Sequence, residues 1–189
     1  MVEDHVETGM PSSSEWVHFR PKMMNTRMYG PLAADPTKRL IEVLAPGINL
    51  YAYDDKFVVL NMTEATVLYL MDFRSSVNAE QRIISNIRLW RNKSQIFTHN
   101  LGSKLFFDFL LPLADIVEID GYAHSYGKSF WELRISEAMH RKYAIYIQDL
   151  STGVRRAMTD YDELYELGTK WWDDGSNEVA VKLSIAKPA

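Results

Sequence analysis

The sequence predicts an α/β domain built on a mixed, largely antiparallel sheet flanked by helices. Three observations carry this. Residues 48–53 (INLYAY) and 56–62 (KFVVLNM) are rich in β-branched and aromatic side chains and flank Asp54-Asp55, the pattern of a hairpin. Residues 66–73 (TVLYLMDF) follow at once, so three strands succeed one another with no helix between them, which argues for a meander. Residues 114–150 then pass from a short apolar run through a Gly-rich loop and a 3.6-period stretch to a second apolar run, a strand–loop–helix–strand unit.

In chain order, residues 1–14 are acidic and polar and end in Pro-Ser-Ser-Ser, which predicts a disordered tail before one α/β domain over 15–189. Residues 15–20 (EWVHFR) are consistent with a short strand. Residues 21–36 hold three prolines, one glycine and three methionines and read as irregular. Residues 36–44 (PTKRLIEVL) read as a short helix, with Asp35 as cap, Pro36 at the first helical position and Pro46-Gly47 as the stop. After the meander, residues 101–113 are apolar on nearly every side, a buried helix entered at Asn100 or Ser103. Residues 115–120 (DIVEID) form a strand and 121–127 a polar loop. Along 128–141, Trp131, Ile135 and Ala138 share one helix face, and Glu137 can pair with Arg141. Residues 144–150 return as a strand, expected beside 115–120 and parallel to it. Ser151-Thr152-Gly153 is a turn, 154–159 a possible strand, and 161–172 a helix capped by Asp160. Residues 178–187 (EVAVKLSIAK) alternate as a last strand.

Residues 75–93 decide between two folds. Ile83, Ile84, Ile87 and Trp90 have helical spacing, and a helix here gives a doubly wound, flavodoxin-like sheet. A turn followed by a strand over 82–91 gives instead a helix, four strands, helix, strand, helix, strand. That second order, over residues 36–158, resembles the GNAT-type acyltransferase fold. In that family the strand before the central helix splays from its neighbour, and the loop and helix N-terminus hold the pyrophosphate of acyl-coenzyme A. The resemblance places this role on WRNKSQIFTHNLGSKLFFDF and implies Arg91, Asn100, Gly102, Ser103 and Lys104 as cofactor contacts. The family's compact Arg/Gln-x-x-Gly-x-Gly/Ala pattern is absent from it. The doubly wound alternative resembles nucleoside deoxyribosyltransferase-like proteins, in which an acid on the helix after such a loop is the nucleophile; Glu132 would hold that place.

Composition bounds the chemistry. Cysteine is absent, which excludes disulfides, thiolate metal sites and thiol nucleophiles and is compatible with a cytoplasmic chain. The formal net charge is −4, and Glu3, Asp4, Glu7 and Glu15 account for it, so no global basic bias favours nucleic acid. A local basic set remains at Arg82, Arg88, Arg91, Lys93 and Lys104. No apolar run is long enough to span a membrane, and the acidic start does not read as a secretory signal. No pair of histidines has metal-ligand spacing.

The loop after DIVEID offers acid–base groups. Asp120, His124 and Tyr126 stand where α/β folds place ligands, at the carboxyl end of a strand, against the plainer reading of a crossover loop. With the GNAT resemblance they would face a small-molecule or protein acceptor. Adjacent Trp171 and Trp172 cannot point the same way from a helix, so one is expected in the core and the other at a surface suited to a homodimer or partner. That surface also fits a non-catalytic interaction protein, such as an accessory factor of a phage or mobile element.

Overall fold

The computed structural model describes residues 18–78, 80–93, 100–119, 125–171 and 180–187. The expected tail at 1–14 and the loop at 120–124 lie outside them. The chain is α/β and divides into two compact units, residues 1–72 with 88–101 and residues 73–87 with 102–189. Nine strands are described, and β4 (Thr66–Asn78) and β5 (Gln81–Arg91) run through both units.

In the first unit the strand order is β1 (Arg39–Ala45), β2 (Ile48–Ala52), β3 (Lys56–Asn61), β4, β5. The expected hairpin pairs Ala52 with Phe57 and Ile48 with Asn61, and β3 pairs antiparallel with β4. Residues 36–44 are not a helix. Asp35 does act as a local cap, its Oδ1 accepting from the backbone N and Oγ1 of Thr37 at 2.8 and 2.7 Å, but it closes a turn into β1. Two register shifts in the β1–β2 ladder, between Leu40 and Glu42 and between Val43 and Ala45, stretch the strand's period. The apolar spacing thereby imitates a helix. Pro46-Gly47 is the hairpin turn, with Gly47 at φ +74°.

The stretch expected to be irregular is helical. Helix α1 consists of Pro21–Met24, a π-helical turn Asn25–Tyr29, and Gly30–Ala34. Met24, Met28 and Leu32 recur every fourth residue and are buried against Tyr51, Tyr53, Val58, Leu60 and Trp90. Pro31 lacks an N–H and its ring would clash with the carbonyl four residues earlier; the wider π turn just before it relieves that conflict. Side chains tie α1 and its approach to the sheet. Tyr53 OH donates to the Leu32 carbonyl at 2.7 Å, Trp90 Nε1 to the Phe19 carbonyl at 2.6 Å, and Asn25 Oδ1 accepts from Val67 N at 2.9 Å.

In the second unit the order is β4, β5, β6 (Ile116–Ile119), β9 (Val181–Ala186), β7 (Ala144–Asp149), β8 (Arg155–Ala157). Residues 81–91 are strand, not helix, which removes the doubly wound sheet. β6 and β7 are not neighbours as expected: β9 lies between them, antiparallel to both. Its alternation is strict, with Val181, Leu183 and Ile185 buried in rows with Val117, Ile119, Ile145 and Ile147. Lys182, Ser184, Glu118, Tyr146 and Gln148 belong to the opposite, less buried face.

Among the described residues three helices belong to this unit. Helix α2 runs Leu101–Lys104, a π segment Leu105–Leu110, then Leu111–Leu113, again with a proline (Pro112) just past the π turn. Helix α3 spans Ser125–His140 and buries Trp131, Ile135 and Ala138 on the expected face. Phe106, Phe107, Phe130 and Trp131 meet edge to face, with Phe106 and Trp131 centroids 5.7 Å apart. Helix α4 (Asp162–Leu167) continues as a 3-10 turn, Gly168–Trp171, that buries Trp171. Asp160 Oδ1 accepts from the N–H groups of Asp162 and Glu163 at its start. Trp172 is outside the described residues.

Candidate functional site

Two places in the second unit bear on function: the junction of β5 with β6 and the meeting of α2 with α3. β5 and β6 are parallel, but their ladder consists of Ile83↔Ile116 and Ile84↔Val117. Below it, Arg82 and Asp115 lock the strands: Asp115 N donates to the Arg82 carbonyl, and Asp115 Oδ2 accepts from Arg82 N, both at 2.8 Å. Above it, Asn86 takes the left-handed conformation, φ +51°. Such a residue breaks the alternation of a strand and turns its amide and carbonyl out of register with a neighbour. β6 itself continues through Glu118 and Ile119 without a β5 partner in the ladder.

At the start of α2, Ser103 Oγ donates to Glu137 Oε2 of α3 at 2.5 Å. The other oxygen, Glu137 Oε1, accepts from Arg141 Nη2 at 2.7 Å, and the buried Arg134 stands 3.4 Å from Oε2. Arg141 also lies over the Phe107 ring, 4.2 Å from its centroid. Burial pushes the Glu137 carboxyl up, but the Ser103 hydroxyl and the two arginines outweigh it and hold it below its ordinary value. One carboxylate thus fastens two helices.

This arrangement sorts the residues named from sequence. The Ser103 hydroxyl is committed to Glu137. Lys104 lies 3.8 Å from Asp108 and over the Phe109 ring. Gly102 is in the first turn of α2. Arg91 closes β5 and Asn100 immediately precedes α2; both are exposed and belong to the first unit. Asp120 and His124 are outside the described residues, and of Tyr126 only the helical backbone, in the first turn of α3, is described.

Glu132 is half-buried on α3, and its backbone carbonyl accepts from Tyr161 OH at 3.3 Å. Burial, then the neighbouring Tyr165, pushes the Tyr161 phenol up to about 12, so it stays a donor at neutral pH. Sequence reasoning named the Glu137–Arg141 pair as a helix-surface contact and missed that Ser103 and Arg134 converge on the same carboxylate. The spacing of 103 and 137 carries no local signal. Among the described residues no group of three acidic or histidine side chains is placed to hold a metal, and no helix is long and apolar enough to cross a membrane.

No family model matches the chain, and neither the curated proteins nor the solved structures contain a significant match to it.

Proposed function

We propose that the chain is an acyltransferase of the GNAT type, carrying an acyl group from acyl-coenzyme A to an amine or hydroxyl of a small-molecule or protein acceptor. The observation that carries this reading is the short parallel ladder between β5 and β6, ended at Ile84↔Val117 and followed by the left-handed Asn86. A splayed parallel pair joined through a helix is the feature that the resemblance identifies with the thioester site. The order of elements from β2 to β7 supports the same reading. α1 ahead of the meander and the extra strand β1 depart from the expected order.

In this reading the start of α2 offers backbone N–H groups to the pyrophosphate, with Gly102 permitting close approach and Lys104 supplying charge. Ser103 acts through Glu137, fixing the helix end rather than touching phosphate. Asp120, His124 and Tyr126 are the acceptor-side groups. The acceptor nitrogen or oxygen attacks the thioester carbonyl and a C–N or C–O bond forms. The C–S bond breaks, and the proton lost by the acceptor leaves with the coenzyme A thiol.

The test is the melting temperature with coenzyme A and acetyl-coenzyme A. A shift that grows with ligand concentration and shrinks in Lys104→Glu is expected. No shift at millimolar ligand sinks the proposal.

A further inference from the structure

The less buried face of the second unit's sheet holds a depression of about 170 Å³. Its middle is Ser184 on β9. On one side Lys182 Nζ meets Glu118 Oε2 at 2.7 Å, a closed pair that neutralises both groups. On the other side Arg155, from β8, lies over the Tyr146 ring with its Cζ 4.0 Å from the centroid, and its Nη2 reaches Ser184 Oγ at 3.4 Å. Among the described residues no carboxylate lies within ion-pair distance of Arg155. Ile83 and Ile116 supply an apolar patch at the far end, and the amides of Gln81 and Gln148 complete the wall.

From this geometry we propose that the depression binds a small aliphatic monocarboxylate, with its carboxylate on Arg155 and Ser184 and its chain over Ile83 and Ile116. The charges lining it leave one positive charge in excess, matched by a monoanion. The Glu118 carboxylate on the same wall opposes a dianion such as phosphate. The guanidinium lies over the tyrosine ring and keeps most of its N–H groups for a ligand, and its planar fork suits bidentate pairing with a carboxylate. The face is open to water, which makes the affinity weak, on the order of millimolar. The inference does not depend on acyl transfer, and the test contains no coenzyme A.

Hexanoate is titrated into the full chain while the methyl resonances of Ile83 and Ile116 and the ring resonances of Tyr146 are followed by NMR. Saturable shifts at all three residues are expected. They should weaken by about tenfold in Arg155→Gln and by less in Tyr146→Leu, which leaves the charge but releases the guanidinium. Arg155 is exposed on a short edge strand, so the spectrum outside the depression should be unchanged in Arg155→Gln. Linear, non-saturating shifts overturn the proposal. So does equal affinity in Arg155→Gln, or tighter binding of inorganic phosphate than of hexanoate.

Discussion

Ser103 and Glu137 sit on different helices, and the hydroxyl of one donates to the carboxylate of the other at 2.5 Å. That carboxylate also meets Arg134 and Arg141, so the two residues differ in what their loss removes. Ser103→Ala deletes one hydrogen bond and should cost about 1 kcal/mol. Glu137→Ala takes the carboxylate from a buried arginine as well and should cost about 3 kcal/mol. Urea unfolding of the two variants checks the ratio; equal costs would show that Arg134 and Arg141 gain nothing from Glu137.

The same carboxylate gives a pH dependence. Its folded-state value lies below its ordinary 4.5, so its stabilising contribution is complete above that value and is lost as pH falls through the depressed one. Wild-type and Glu137→Gln proteins should therefore differ most at neutral pH and converge in acid. A difference that is constant with pH contradicts this.

Glu163 should behave likewise at the start of α4. The Thr159 hydroxyl and backbone N–H, then Arg156, hold its carboxyl at about 2. Glu163→Gln should lower stability by about 1 kcal/mol at pH 7. The gap should close as pH falls from 4.5 toward 2, as thermal unfolding across that range would show.

Gly47→Ala should destabilise the first unit for two separable reasons. The residue has φ +74°, and a Cβ there would collide with Thr63 Oγ1. A loss of about 1–2 kcal/mol is expected. Adding Thr63→Ala should restore the part due to collision and leave the part due to backbone strain. A double variant no more stable than Gly47→Ala would place the whole cost in the backbone.

Trp90→Phe removes the donor to the Phe19 carbonyl while keeping most of the ring. It should cost about 1–2 kcal/mol and speed amide exchange around Phe19. Unchanged exchange there would show that the bond does not anchor that stretch.

What could be read from the residues follows from where the signals are local. The β2–β3 hairpin, α3 with its Trp131, Ile135 and Ala138 face, and β9 were legible because each carries its own period. β1 was misread because two bulges gave Leu40 and Val43 the spacing of a helix. α1 was missed because its prolines and methionines look irregular until the π turn shows how Pro31 is accommodated. Residues 75–93 fitted either a helix or a turn followed by a strand over 82–91, and the strand forms; the helical spacing arises because Ile84 and Trp90 are buried on a strand whose alternation is interrupted at Asn86. The neighbours of β6 and β7, and the meeting of Ser103 with Glu137, depend on residues far apart in the chain and leave no local trace.

The insertion of β9 between β6 and β7 has a kinetic side. Ile116 pairs with Ala186, and Ala144 pairs with the same residue from the other flank. Until β9 arrives, both strands present open edges to any other strand. The meander of the first unit closes through short hairpins, whereas this sheet waits on a distant segment and the entropy of a long loop. The second unit is therefore expected to be the slower and more aggregation-exposed part of folding, and Lys182→Glu in β9 should reduce soluble yield more than Lys56→Glu in β3.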